Sequence, residues 1–543
     1  MDDVAATLFG LIALALAVAA ALAVARQLTE RAFAAAIVAA AALVAIARAL
    51  VVTPTFLHAN RHGGPIVEAI LGAPSSAMER VKTFGRFGFL ALGAIAALLG
   101  RRFEVVCAAN ECFAAATLVL IAWTAYRWSG SRWAAAFTLA AAALYVPIVR
   151  VAVSEDAHTL ALLLGWLAIV SLDVHARTRD RAALVAATLA LLLMIHTRQT
   201  LYVFVPCAYA LAWTRAGRAA RLELYASAGF VTAVVASRAS VTFGTSSEQT
   251  SFVMIVRLFS IPRLMLTALV HHPLFDVVRF GPALTLLFAA GALWALRHGG
   301  AARVALGGFA LCFVVSLPTA WHTPGVELAF RLPALTLALA LAGCGGARLV
   351  AHLHDRRLRL ACLTAVLLAP LAGRAFGELR RPSADFVEYR FLRALAPTLP
   401  RELALQTLPV DRSAPSYRFP VGLLERAGIH VLAPQPGSTT PTFFFAGIQC
   451  WGWSMGELIR LGDDPLRLMG PALTDLGVAA VQGDLAHAQP PARMRPECAR
   501  LMARSRPFGR TGAIVAPTQD PPFVLYGVDP IPLELRRIEP SPP

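Results

Sequence analysis

Long, nearly uninterrupted apolar stretches recur along this chain of 543 residues, at about 4–25, 32–52, 107–127, 133–149, 158–175, 182–196, 201–213, 222–240, 279–296, 303–319, 331–350 and 358–373. Roughly 20 such residues make a helix that crosses a bilayer. Lipid tolerates few alternatives, because every backbone N–H and C=O must be bonded within the protein. The pattern predicts an α-helical polytopic membrane protein with about 12 spans. Composition agrees, with 57% of residues apolar and 15% charged, against about 45–50% and 25% in soluble domains. A soluble enzyme, a disordered chain and a small secreted disulfide scaffold are excluded. A further apolar run, 87–100, is too short to cross upright and suits an interfacial or re-entrant helix.

Basic residues outnumber acidic ones by 49 to 32, a formal net charge of +17. Lys82 is the only lysine, and the arginines recur between apolar segments instead of lining one face. They read as topology signals, not as a nucleic-acid footprint. The loops at Arg127/Arg132, Arg177/Arg179/Arg181, Arg215/Arg218/Arg221, Arg297/Arg303 and Arg356/Arg357/Arg359 alternate correctly for one side, which the positive-inside rule makes cytoplasmic. Loops 150–157, 197–200, 241–278 and 320–330 then face outward, as does everything after 375. If 87–100 does not cross, residues 53–106 are one long outer loop. If it does, residues 53–85 are cytoplasmic, and Arg61, Arg80, Lys82 and Arg86 suit that too, so charge leaves the choice open. The first residues are acidic and no small-residue cleavage site follows, so 4–25 reads as a retained helix, not a signal peptide.

Two domains are expected. Residues 1–375 form the membrane domain. From about 376 the chain turns Pro-rich and charged, and ELALQTLPV, GIHVLAP, GAIVAPT and PFVLYGV read as short strands, with a helix near 457–469. Residues 376–543 are thus expected as a soluble, extracytoplasmic α/β domain. Six cysteines lie in apolar segments and read as packed hydrophobes. Cys450 and Cys498 lie in the polar region, where an oxidising compartment would permit a disulfide; their geometry is not legible in sequence.

No phosphate-binding loop is present, and GCGG at Gly343 lies inside an apolar run, as small-residue helix packing requires. No cytoplasmic loop is long enough for a nucleotide-binding domain, so a donor substrate must arrive from the membrane or from outside. Three expected outer clusters combine polar groups with apolar boundaries. LHANRHGG (57–64) holds His58, Asn60, Arg61 and His62, followed by Glu68. PIVRVAVSEDAH (147–158) holds Arg150, Ser154, Glu155, Asp156 and His158. Arg198, His322 and Arg331 are cations at helix ends. Carboxylates and histidines beside arginines at a lipid interface suit departure of a lipid phosphate: a base deprotonates an acceptor hydroxyl while cations hold the leaving group.

Each cluster has a structural alternative. His58 and His62 have the spacing of a helical metal pair, but Gly63–Gly64 argues for a loop, so no cofactor is assigned and a divalent metal there is kept as the lesser alternative. Glu155 and Asp156 suit capping of a helix beginning near 158. Arg150, Arg198 and Arg331 suit interfacial snorkelling. The two asparagines, Asn60 and Asn110, and the single lysine all fall between 60 and 110, which marks that stretch out.

The segment FGFLALGAIAALLG…PIVRVAVSED (87–156) resembles the GT-C class of membrane glycosyltransferases, which includes protein O-mannosyltransferases and bacterial enzymes using polyprenyl-phosphate sugars. Gly100, Arg127–Gly130, Pro147, Arg150 and Ser154–Asp156 fall in the family's order, and RLPALTLALALAG, with Arg331 and Pro333, resembles its late outer-boundary pattern. The resemblance covers about 32–350. It implies that 87–100 is an interfacial segment of the first outer loop. It also implies inverting transfer of a sugar from a polyprenyl-phosphate carrier to a glycan, lipid or protein at the outer face of a bacterial inner membrane. His58, His62, Glu68, Glu155 and Asp156 are then acid–base candidates, Arg150, Arg198 and Arg331 phosphate clamps, and Asn60 and Arg61 acceptor or loop contacts. The family's acid after the first span has no counterpart in HANRHGG; the first acid after Arg48 is Glu68. A histidine, Glu68 or the Glu155/Asp156 pair takes its place, or the fold persists without the reaction. A transporter or lipid flippase is the rival class, which would place ionisable groups at mid-membrane and show inverted repeats.

Overall fold

A computed structural model describes residues 30–52, 54, 87–100, 102–242, 277–316, 326–372, 384–406, 415–435, 438–447, 450, 496–510 and 534–538. The chain divides into two compact units, most of the second lying after Arg381.

The first unit is helical. Its elements are α1 (Arg31–Val51), α2 (Phe87–Leu99), α3 (Phe103–Ser129), α4 (Arg132–Ala143), α5 (Val146–Ala152), α6 (His158–Thr178), α7 (Arg181–Thr197), α8 (Phe204–Trp213), α9 (Arg218–Thr242), α10 (Val277–His298), α11 (Gly300–Ser316), α12 (Val326–Ala351) and α13 (Arg356–Leu368). Among the described residues five helices are long and apolar enough to cross a membrane, lying in α1, α3, α6, α9 and α12, or six if α4 and α5 count as one bent span. Shorter apolar helical segments cover Gly88–Leu99, Arg181–Thr197, Leu201–Trp213, Ala283–His298 and Gly300–Ser316, and the run at 4–25 lies outside the described residues.

Packing sorts these helices. The most apolar stretches of α6 and α12 are 89% and 83% buried, whereas those of α1 and α9 are only 22% buried. The first pair is the core of the bundle, and the second presents Leu43, Leu50, Leu222 and Phe230 outward, as a lipid-facing surface does. Close approach of α12 to α10 depends on glycine: a Cβ on Gly345 would meet the Leu287 carbonyl, and one on Gly291 the Leu341 carbonyl. The GCGG run is therefore a helix-packing surface, as small residues allow.

One expected helix is interrupted. The stretch predicted over 133–149 ends at Ala143 and resumes at Val146, and the two halves are bent by 68°. Pro147 explains it, because proline has no N–H to give the carbonyl of Ala143, four residues back, and its ring crowds that carbonyl.

The second unit carries a five-stranded sheet. Its strands are β1 (Glu402–Gln406), β2 (His430–Leu432), β3 (Thr442–Ala446), β4 (Ser505–Arg510) and β5 (Glu534–Ile538), in the order β2-β1-β3-β5-β4. β1 runs parallel to β2 and β3, and β5 antiparallel to β3 and β4. Leu403–Leu405 and Phe443–Ala446 are buried, the continuous apolar pattern of central strands. The first two expected strands match β1 and β2; those at 512–518 and 522–528, and the helix at 457–469, lie outside the described residues. Cys450 and Cys498 are joined by a disulfide and pack with Phe444 and Ala446.

Candidate functional site

The turn joining α5 to α6, residues 153–157, gathers charge in the interior. Ser154, Glu155, Asp156 and His158 are fully buried. Asp156 Oδ1 is the focus: it accepts the backbone N–H of His158 at 2.9 Å and the Arg198 Nη2–H at 2.6 Å, and lies 2.6 Å from His158 Nδ1. Arg198, at the C-terminal end of α7, also lies over the Phe89 ring of α2, with Cζ 5.1 Å from its centroid. Buried charges persist when paired and hydrogen-bonded, and this carboxylate has both kinds of partner.

Backbone chemistry fixes the turn. Asn110, buried on α3, donates through Nδ2 to the carbonyls of Ser154 at 2.7 Å and Asp156 at 2.9 Å. A single amide thus serves two carbonyls that no helix uses. Ser154 Oγ donates to the Val151 carbonyl at 2.8 Å and accepts the Asp156 N–H at 3.2 Å. The start of α2 fits closely here, since a Cβ on Gly88 would collide with Thr197 and Ala157.

Of the residues singled out in sequence, Asp156 and Arg198 are therefore in direct contact, with Glu155 on the same turn. Arg150 on α5 and Arg331 on α12 are each buried, on helices that pack together. The capping alternative holds in part, because Asp156 bonds the first N–H of α6 and the arginine with the same oxygen. Snorkelling does not describe Arg150, Arg198 or Arg331, which are 5%, 3% and 2% exposed. His58, Asn60, Arg61, His62, Glu68 and His322 lie outside the described residues. Among the described residues no group of His, Cys, Asp and Glu is arranged to hold a metal ion.

Two charges inside apolar runs were not read as part of a site. Arg48 on α1 and Glu111 on α3 are buried and paired at 3.1 Å. The available signal was an ionisable side chain within a predicted span, which lipid makes costly.

The far end of the same helices carries a different set. Arg215 pairs with Asp173 at 2.8 Å and donates to the Arg127 carbonyl at 3.3 Å; Arg177 also pairs with Asp173, and Glu223 meets Arg179 at 3.3 Å. Loops expected to share one side therefore do meet. Asn110 and Arg127 sit on α3 about 25 Å apart along its axis. No protein-family model matches this sequence, and no curated protein matches it.

Proposed function

We propose that this protein is a multi-spanning, inverting glycosyltransferase of GT-C type, with about 12 spans, acting at the outer face of a bacterial inner membrane. Its donor is a sugar on a polyprenyl-phosphate carrier, and its acceptor a glycan, lipid or protein. The observation that supports this best is the Asp156–His158–Arg198 set, buried at the end of the bundle opposite the arginine-rich loops. By the positive-inside rule those loops are cytoplasmic, which makes the Asp156 end the outer one. The disulfide in the C-terminal unit supports an oxidising, outer location for it.

The geometry supports the following chemistry. An Nδ1–H directed at Asp156 fixes the imidazole tautomer and makes Nε2 the basic nitrogen of His158. The acceptor hydroxyl gives its proton to that base as its oxygen bonds the anomeric carbon. The bond from that carbon to the phosphate oxygen breaks on the opposite face, and polyprenyl phosphate leaves as an anion. Arg150, Arg198 and Arg331 supply the positive charge that this leaving group requires. A histidine in the base role answers the missing acid of HANRHGG, with His158 in place of His58 or His62.

The transporter alternative calls for ionisable groups at mid-membrane. Arg48 and Glu111, buried within two apolar helices, are the groups that reading would use, but they pair with each other.

Native mass spectrometry of the gently solubilised protein tests the donor class. A co-purifying polyprenyl phosphate, or binding when polyprenyl phosphate is added, is expected. Bulk phospholipid alone under both conditions removes the donor and moves the transporter reading to first place.

A further inference from the structure

The bend between α4 and α5 poses an accounting problem in lipid. A helix end leaves its last carbonyls without helical donors, and the hydrocarbon layer has no water to serve them. Arg48 of α1 serves the last two, the Ala143 carbonyl and the Ala142 carbonyl, which otherwise has a long bond from the Tyr145 N–H at 3.4 Å. Its Nε donates to the Ala143 carbonyl and its Nη2 to the Ala142 carbonyl, both at 2.6 Å, while Nη1 donates to Glu111 Oε1 at 3.1 Å. All three nitrogens are used, and the side chain is fully buried. A planar guanidinium provides that fork and an ammonium does not. Glu111 supplies the counter-charge without which burial would be prohibitive. One turn later Val52, the cap residue of α1, packs in a cluster with Val146, Val149 and Val153. The end of α1 therefore grips the bent segment twice, once through carbonyls and once through apolar contact.

We propose that Arg48, with Glu111 as its counter-ion, is a positioning residue that fixes the bend and thereby sets where α5 and the Ser154–His158 turn lie. That the turn matters to sugar transfer rests on the function proposed above. The clamp on the bend does not, so the two are read by separate measurements.

Cys107 is a built-in reporter. It is buried on α3, and its thiol donates to the Val153 carbonyl at 3.3 Å. The test uses the full chain with the disulfide intact and the other free cysteines, Cys112, Cys207, Cys312, Cys344 and Cys362, replaced by alanine. Maleimide labelling of Cys107 is then followed in time. Arg48→Met is expected to raise the labelling rate at least tenfold. The double variant Arg48→Met/Glu111→Leu removes both charges together yet takes its side-chain donor from the Ala143 carbonyl, so fast labelling is expected there too. Wild-type protection in the folded double variant overturns the proposal, because the pair would then matter only as a charge balance. If neither variant folds, Arg48→Lys decides: protection equal to wild type means that the fork is not required, and the proposal fails. Transfer by the same proteins is measured in parallel. A wild-type protein inactive towards every polyprenyl-phosphate sugar sinks the function and leaves the labelling result standing.

Discussion

The two ends of the helical bundle carry the same kinds of side chain under opposite conditions. At one end Asp156 and Arg198 form a pair whose side chains are 0% and 4% exposed; at the other Asp173 and Arg215 form one whose side chains are 20% and 24% exposed. The exposed pair belongs to a belt in which Asp173 has two arginines and Glu223 has contacts with His175, Arg179 and Arg181. Water and neighbours there make each member replaceable. The buried pair has no water to soften a loss, and its geometry is set by Asn110, by the Ser154 turn and by the first N–H of α6. A protein that wanted only a topology signal would keep its charges in the belt. Charges carried into the interior cost desolvation, and such positions in membrane proteins mark function.

The largest expected effect separates the two aspartates by activity. Asp156→Asn keeps the size and an acceptor for the α6 N–H but removes the charge that orients His158 and pairs with Arg198. Sugar transfer from polyprenyl phosphate should fall by about 10²–10⁴-fold, the usual worth of acid–base assistance, with the protein still folded. Asp173→Asn should leave the rate within about twofold. Equal losses in the two variants would erase the functional distinction between the ends.

Next in size is stability. Arg198→Met leaves Asp156 as a buried carboxylate without its arginine and should destabilise by about 3–5 kcal/mol. Arg215→Met should cost no more than about 1 kcal/mol, because Asp173 retains Arg177 and partial solvation. Thermal unfolding in detergent reads both, and similar melting temperatures would show that burial does not govern the contrast.

How much of this was legible in sequence depends on where each residue sits relative to an apolar run. Asp156, Glu155, Arg150 and Arg198 stand at the ends of runs, where a polar residue stops the pattern and draws notice. Arg48 and Glu111 stand inside runs, where average hydropathy absorbs them, and Asn110 draws notice there only by its rarity. Pro147 was visible, but that the chain would bend by 68° also depends on Arg48 receiving the freed carbonyls, a contact between positions 95 residues apart. The sheet divides in the same way. β1 and β2 are apolar and were anticipated, whereas β5 reads Glu-Leu-Arg-Arg-Ile and is a strand because β3 and β4 pair with it. Strand propensity is that dependent on context. The disulfide required the fold to bring Cys450 and Cys498 to a Cα separation of 5.6 Å.

A smaller effect, away from both ends, sharpens the comparison by serving as its control. Gly345→Val forces a side chain against the Leu287 carbonyl at the α10–α12 contact. Overpacking should cost about 1–3 kcal/mol, while transfer per folded molecule stays unchanged. Loss of specific activity there would mean that the polar turn senses packing throughout the bundle, and the two ends could no longer be treated as separate.

The smallest effect is expected within the belt itself. Arg177 pairs with Asp173 at 2.8 Å one turn away on α6, with side chains 34% and 20% exposed. Exposed pairs at this spacing contribute about 0.3–0.5 kcal/mol, and Arg215 remains on Asp173 when Arg177 is replaced. Arg177→Gln should therefore shift the melting temperature by no more than a degree or two. The shift should shrink further at high salt, since such interactions are screened. A salt-independent loss of several degrees would show that this carboxylate is poorly solvated despite its exposure. The belt would then obey the rules of the buried end, and the charges at its helix ends would need a role beyond orienting the protein in the membrane.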